Sequence, residues 1–445
     1  GVLLFRRDHA FEAGVRARMV ELGFRHEMGY ASAPFAIAMK RLPNALRELI
    51  AAGWRVTADG KLFRPAGAWS LQVASGVDWF DLTLEVADDV AAAQLPELLA
   101  ALRAGRPFVR LSDGTAAMMP SWLETRAAAL TATPEVDGAL RFRAAEVLMV
   151  AALLDGVAEA QVDAGFVRLR ERLETFSGLA PRSAPRGFRA TLRDYQREGL
   201  GWLHFLRELG LGGCLADDMG LGKTVQVLAL LDGLRGGRRP RKPALVVAPR
   251  SLVFHWIEEA RRFAPRLRTL EWHGTGRADR AAEIAASDLV VTTYATLRQD
   301  LAHLGAVPFG LVVLDEAQAI KTATTATARA ARALRADHRL ALTGTPVENR
   351  LDDLASIFDF LNPGLLGRPA ALRAIAGADH ELDRARALGK ILRPFLLRRT
   401  KQEVLTELPA KTEQIIGCRL EGAERKRAKR RLARRLMANR RFRRR

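Results

Sequence analysis

The sequence predicts an α/β protein built on a mostly parallel sheet between helices and preceded by an α+β accessory region. Three stretches carry that prediction: residues 217–224 read Asp-Asp-Met-Gly-Leu-Gly-Lys-Thr, residues 311–318 read Leu-Val-Val-Leu-Asp-Glu-Ala-Gln, and residues 342–346 read Leu-Thr-Gly-Thr-Pro. A glycine-rich turn that follows a buried strand and opens a helix aims backbone N–H groups and a helix N-terminus at phosphates. Gly212-Gly213-Cys214-Leu215-Ala216 supplies such a strand, and 225–234 reads as an amphipathic helix that runs out at Gly236-Gly237. The loop is then Met219, Gly220, Leu221, Gly222, Lys223 and Thr224. Lys223 would reach the β- and γ-phosphates of ATP, and the Thr224 hydroxyl would reach Mg2+. Asp217 stands where the strict pattern has its first glycine, so this stretch alone also fits a glycine turn ahead of a surface helix.

In chain order, the first 176 residues come first. Residues 11–22 and 45–52 carry helical periodicity, whereas Trp79-Phe80-Asp81-Leu82-Thr83-Leu84-Glu85-Val86 alternates like a half-buried strand. Residues 108–111, Ser112-Asp113-Gly114 and 115–119 read as a hairpin. Residues 177–190, with Pro181, Pro185 and several arginines, read as a linker, 191–415 as the nucleotide-binding lobe, and 416–445 as a basic tail. Within the lobe, Val312-Val313-Leu314 is a buried-strand run ending in two carboxylates. In an open α/β sheet the carboxyl end of a strand is where a ligand sits. Asp315 can hold Mg2+ through water, and Glu316 can polarise the water that attacks the γ-phosphate. A solvated pair on a surface turn is the plain alternative, and the four apolar residues ahead of it argue against that.

The segment from about 192 to 413, roughly half the chain, resembles the first RecA-like lobe of the Swi/Snf family of helicase-like ATPases in superfamily two. Leu192-Arg193-Asp194-Tyr195-Gln196, with Gly199 and Trp202, is similar to the adenine-reading Q motif. The resemblance implies a nucleotide contact from Tyr195 and a hydrogen bond from Gln196 to the adenine edge. Ala248-Pro249-Arg250-Ser251-Leu252 with Trp256 resembles the motif that grips DNA phosphates, and Thr292-Thr293-Tyr294 resembles the next DNA-contacting motif. Thr343-Gly344-Thr345-Pro346 with Asn349 resembles the motif that couples the nucleotide site to DNA. The implied DNA-binding residues are therefore Ser251, Thr293, Tyr294 and Asn349. Residues 396–401 and 408–412 resemble the stretch joining lobe one to lobe two. Gln318 replaces the usual histidine, and Asp353-Leu354 stands where Glu-Leu is frequent.

What the resemblance implies is the ATP-binding lobe of a DNA-dependent ATPase that translocates along double-stranded DNA. Lys223, Asp315 and Glu316 would be catalytic, with ATP and Mg2+ as cofactors. Nothing after Lys411 matches the second lobe with its arginine finger, so one lobe and slow turnover on its own are expected. Gly-Val-Asp-Trp-Phe-Asp at 76–81 resembles the accessory region of bacterial members. A non-catalytic nucleic-acid-binding protein and the motor subunit of a restriction or defence system stay open as alternatives.

Composition agrees. The 445 residues, 49% hydrophobic, suffice for two or three cores. Cys214 and Cys418 cannot make a disulfide framework, and no Cys or His group has zinc spacing, so core thiols in a reducing compartment are expected. No apolar run approaches a membrane span and no signal peptide is visible, so a cytoplasmic location is expected, and the resemblance to bacterial family members leaves nucleoid association as an option. The chain opens on Gly1 without methionine, as a fragment would. Net charge is +20, and 13 of the 21 residues in 425–445 are Lys or Arg. That tail reads as a grip on nucleic acid, as a solvated helix, or as out-of-frame sequence.

Overall fold

The computed structural model describes residues 8–26, 35–38, 40–58, 61–64, 68–87, 92–158, 160–174, 180–235, 242–344, 351–366 and 389–404. The apolar runs of the second half lie side by side in one sheet: β1 (Gly213–Leu215), β2 (Ala244–Ala248), β3 (Thr269–Trp272), β4 (Leu289–Thr293), β5 (Phe309–Asp315), β6 (Ala336–Leu342) and β7 (Leu396–Leu397). Their order is β3-β4-β2-β5-β6-β1-β7, and every described pairing in it is parallel. A parallel sheet is covered on both faces, so its strands are apolar throughout rather than alternating. Accordingly β1, β2 and β4 are buried at every position. The registers Val247↔Leu314, Ala248↔Thr293 and Asp315↔Leu342 bring the carboxyl ends of the central strands to one edge.

Helices α1 (Asp194–Glu208), α2 (Lys223–Leu234), α3 (Arg250–Phe263), α4 (Tyr294–Gln299), α5 (Ala326–Ala333) and α6 (Leu351–Leu361) accompany the sheet. The sequence predicts α2 as amphipathic, but residues 226–232 are all buried. The reason is its place between α1 and α3, which leaves it little wet face. One acid on it, Asp232, is satisfied by Arg266, whose Nε donates at 3.2 Å. The close packing of α1 on α2 explains Gly199: a Cβ there would sit 1.8 Å from the Gln226 Oε1 atom. Trp202, fully buried on the same helix, donates from Nε1 to the Pro394 carbonyl at 2.9 Å.

The accessory region has the expected mixed character. Its helices His9–Glu21 and Leu42–Ala51 and its strand Trp79–Ala87 are present. Along that strand Phe80, Leu82, Leu84 and Val86 are buried, the alternation of a half-covered antiparallel sheet. Phe108–Arg110 and Ala116–Met118 pair as the predicted hairpin. Residues 180–190 do not stand away from the lobe: Arg182 N donates to Arg197 O at 2.9 Å and Arg189 N to Phe263 O at 2.7 Å. Buried side chains of the accessory region and the lobe belong to one continuous apolar cluster. Gly1–Thr400 forms one compact unit and Lys401–Arg445 another, of which the described part is a short helix, Lys401–Val404. Among the described residues no helix is long and apolar enough to cross a membrane. Thr345, Pro346, Asn349, Cys418, the 408–412 motif and the basic tail lie outside the described residues.

Where the accessory region meets the lobe, Arg143 Nη1 donates to Pro363 O at 2.7 Å, and Arg143 N donates to the Glu146 carboxylate at 2.6 Å. Burial pushes Glu146 from 4.5 up to about 7. The folded state therefore holds this proton more tightly than the unfolded chain does. The resulting stabilisation is complete below pH 4.5 and is lost as pH rises through about 7. That span is worth at most about 3 kcal/mol, less what water at the partly exposed carboxyl screens. Glu146→Gln should flatten the decline in melting temperature between about pH 5 and 8 relative to wild type, measured by circular dichroism. An unchanged decline would exclude Glu146 as its source.

Candidate nucleotide site

β1 delivers the chain to the loop at the sheet's carboxyl edge. Gly220 and Gly222 have φ of 85° and 76°, the left-handed region that glycine enters without cost, and α2 begins at Lys223. A side chain at 222 would also collide with Gln196, whose Nε2 lies 2.5 Å from the Cβ position. The Lys223 ammonium donates to the carbonyls of Asp217 at 2.6 Å and Asp218 at 3.3 Å. Burial pulls its pKa down, while the nearby carboxylates of Asp217, Glu316 and Asp315 oppose that shift. Met219 is exposed, but Leu221 is fully buried, so Leu221 offers a ligand only its backbone.

The Q-motif residues serve the loop in this structure. Tyr195 is nearly buried, and its hydroxyl donates to Leu221 O at 3.2 Å. Gln196 Nε2 donates to the same carbonyl at 3.1 Å, and its Oε1 accepts from Arg193 N at 3.0 Å. Asp217, the departure from the glycine pattern, is fully buried and paired with Arg399, whose Nε and Nη2 donate to its two oxygens at 3.0 and 2.6 Å.

At the end of β5, Asp315 is buried. It accepts from Trp256 Nε1 at 2.8 Å on one oxygen and from Glu316 N at 3.0 Å on the other. Burial raises its pKa, and the Trp256 hydrogen bond opposes the shift. Glu316 adopts a left-handed conformation, φ 50° and ψ 56°. Gln318 Nε2 donates to Glu316 Oε2 at 2.6 Å, and Gln318 Oε1 accepts from Thr343 Oγ1 at 3.0 Å. The amide thus joins the acidic pair to the motif at 343, a task that needs both a donor and an acceptor, as a neutral histidine also has.

Glu259 of α3 is a residue the sequence analysis misses. The Thr224 hydroxyl faces it, His255 Nε2 is 3.2 Å from one of its oxygens, and the other oxygen, Oε2, is buried without a hydrogen-bond partner. Thr224, Asp315 and this orphaned acceptor are hard oxygen donors. They suit Mg2+, which takes one or two carboxylates, keeps water, and completes its shell with phosphate oxygens.

The residues expected to touch DNA fall into two kinds. Ser251 is exposed in the first turn of α3. Thr293 and Tyr294 instead turn their hydroxyls inward: Thr293 Oγ1 caps α4 by accepting from Thr296 N at 3.0 Å, and the Tyr294 hydroxyl donates to Asp315 O at 2.8 Å. Burial raises the Tyr294 pKa well above its ordinary value. Trp256, grouped with the DNA motif by its position in sequence, is fully buried and reaches the acidic pair. Beside Ser251 lies a groove of about 400 Å³ at the ends of β2, β3 and β4, lined by Pro249, Arg250, His273, Thr275, Thr293 and Tyr294 among others.

A left-handed glycine opening a helix, a lysine on the loop and a strand that ends in buried Asp315 followed by half-buried Glu316 define a P-loop nucleotide-binding lobe. Residues 195–442, more than half of the chain, match the SNF2-related domain, and the chain belongs to that family. The Swi/Snf resemblance read from the motifs is thereby borne out. Among its relatives, the putative ATP-dependent helicase/translocase YwqA of Bacillus subtilis is 42% identical over 255 residues, which is 55% of this chain and 28% of that protein. The TATA-binding protein-associated factor MOT1 of Saccharomyces cerevisiae is 37% identical over 272 residues, 55% of this chain and 15% of that protein. The chain thus spans under a third of the length of either relative. A solved SWI2/SNF2 ATPase core of Sulfolobus solfataricus in complex with dsDNA is 40% identical, with a TM-score of 0.46, covering 53% of this chain and 49% of its own.

Proposed function

We propose that this chain is the ATP-binding lobe of a DNA-stimulated ATP hydrolase that translocates along duplex DNA. The observation that carries the reading is the convergence of the Lys223 loop with Asp315 and Glu316: Leu215, where β1 enters the loop, and Asp315, where β5 ends, flank the same residue, Leu342, and both carboxylates act on the ammonium. Lys223 would exchange the carbonyls of Asp217 and Asp218 for the β- and γ-phosphates, while the N–H groups of the loop and of the first turn of α2 hold the remaining phosphate oxygens. Thr224 and Asp315, the latter through water, would hold Mg2+, which when bound neutralises phosphate charge. Glu316 would orient and polarise the attacking water. Gln196 would turn one of its polar atoms to the adenine edge, next to Tyr195.

A DNA backbone would run over Ser251 and the adjoining groove, with Thr293 and Tyr294 as its wall; Asn349 is assigned to the same task by its motif alone. Contacts of this kind carry little sequence preference. The description of YwqA as a helicase/translocase supports the motor reading. Lys223→Ala removes one charge-assisted phosphate contact, so Mg-ATP affinity measured by titration calorimetry should fall by about 1.5–3 kcal/mol, or roughly 10- to 150-fold. Equal affinities would remove Lys223 from the phosphate site.

A further inference from the structure

We propose that Arg399 is a positioning residue for nucleotide binding: its pair with Asp217 links the docking of residues 396–400 on the sheet edge to the shape of the phosphate loop. A buried, unpaired carboxylate is costly, and Asp217 has no exposed surface. The Arg399 guanidinium meets it as a two-pronged fork, at 3.0 and 2.6 Å. The same group donates to Tyr195 O and, at 3.2 Å, to Gln226 Oε1, and its carbon lies 5.2 Å from the Tyr195 ring centre. One side chain therefore joins α1, the loop, α2 and the strand β7. Lysine could carry the charge but could not make this fork.

The backbone repeats the link. Ala216 N donates to Leu397 O at 2.7 Å and Asp218 N to Arg399 O at 3.0 Å. Residues 217 and 218 are also those whose carbonyls hold the Lys223 ammonium. The segment 397–399 thus grips, by main chain and by side chain, the two residues that set where Lys223 rests. β7 pairs with β1 over only two residues, and Leu396 and Leu397 are only partly buried against the core, so the Arg399 fork adds a polar anchor immediately after this short edge strand. If nucleotide changes how 217–218 are held, it changes how firmly 396–400 is docked, and reciprocity makes the reverse true.

The inference rests on the nucleotide reading above, and the test separates the two. Residues 1–445 are titrated with a fluorescent ATP analogue and Mg2+, and hydrogen exchange is followed at 219–224 and at 396–400. Wild type should bind and gain protection in both segments. Arg399→Lys and Asp217→Asn should each bind about tenfold more weakly. At saturating nucleotide each should keep protection at 219–224 and lose it at 396–400. A brace that only stabilised the fold would lower the melting temperature without separating the two segments. Wild-type affinity, or retained protection at 396–400, in a folded variant would overturn the proposal. Should Arg399→Lys not fold, Asp217→Asn decides. Absence of binding by wild type would overturn the nucleotide reading itself, and this inference with it.

Discussion

In a protein where a second RecA-like lobe completes the site, Glu316→Gln should leave Mg-ATP binding intact and lower DNA-stimulated hydrolysis by about 10²- to 10⁴-fold, the range expected when a positioned general base is lost. The substitution keeps the side chain's length and an oxygen that can still accept from Gln318 Nε2, which now lies 2.6 Å from Glu316 Oε2. Loop geometry and the link through Gln318 to Thr343 should therefore survive. What goes is the negative charge that polarises water. Glu316 holds a left-handed conformation, φ 50°, that costs a residue other than glycine about 1–3 kcal/mol. An outlier of that kind persists where the surroundings fix it, and here it sits directly after Asp315. A coupled-enzyme assay with plasmid DNA decides: hydrolysis by the variant near the wild-type rate would place the base elsewhere.

Much of the lobe was legible because its strands are buried on both faces. Runs such as Val312-Val313-Leu314 announce themselves in a parallel sheet. The half-covered strand at 79–87 was equally readable from its alternation, as was the phosphate loop from its spacing. The burial of α2 was not, since periodicity reports a wet face only where the helix has one, and α1 and α3 leave little of it wet.

The inward turn of Thr293 follows from a competition the motif does not show. A threonine ahead of a helix meets unpaired backbone N–H groups, and here it caps α4. Asp217 was visible only as a departure from pattern. Its explanation lies 182 residues away in sequence, brought close because β7 docks beside β1. Glu259 had a usable signal: it follows Trp256 by three, so the two share a helix face, and one of them contacts Asp315 while the other faces Thr224.

That shared face gives the last prediction. Trp256→Phe should shift the Mg2+ dependence of ATP binding to about 10- to 100-fold higher concentration, the usual loss when a group that orients a metal-holding carboxylate is removed. Trp256 Nε1 donates to Asp315 Oδ2 at 2.8 Å in a fully buried position, and phenylalanine retains most of the ring while deleting the donor. Without it, Oδ2 has lost the hydrogen bond that both fixes its direction and favours its charged form. The helix carrying Trp256 also begins with Arg250 at the groove and Ser251 next to it in sequence, so α3 spans from the proposed DNA contact to the carboxylate. A displacement of α3 by DNA would move the Asp315 partner with it. Titrating Mg2+ at fixed fluorescent ATP analogue measures the shift, with the melting temperature recorded to account for the smaller side chain. A midpoint equal to that of wild type would show that Asp315 keeps its orientation without Trp256, and that α3 does not connect the groove to the oxygens proposed to hold Mg2+ in this way.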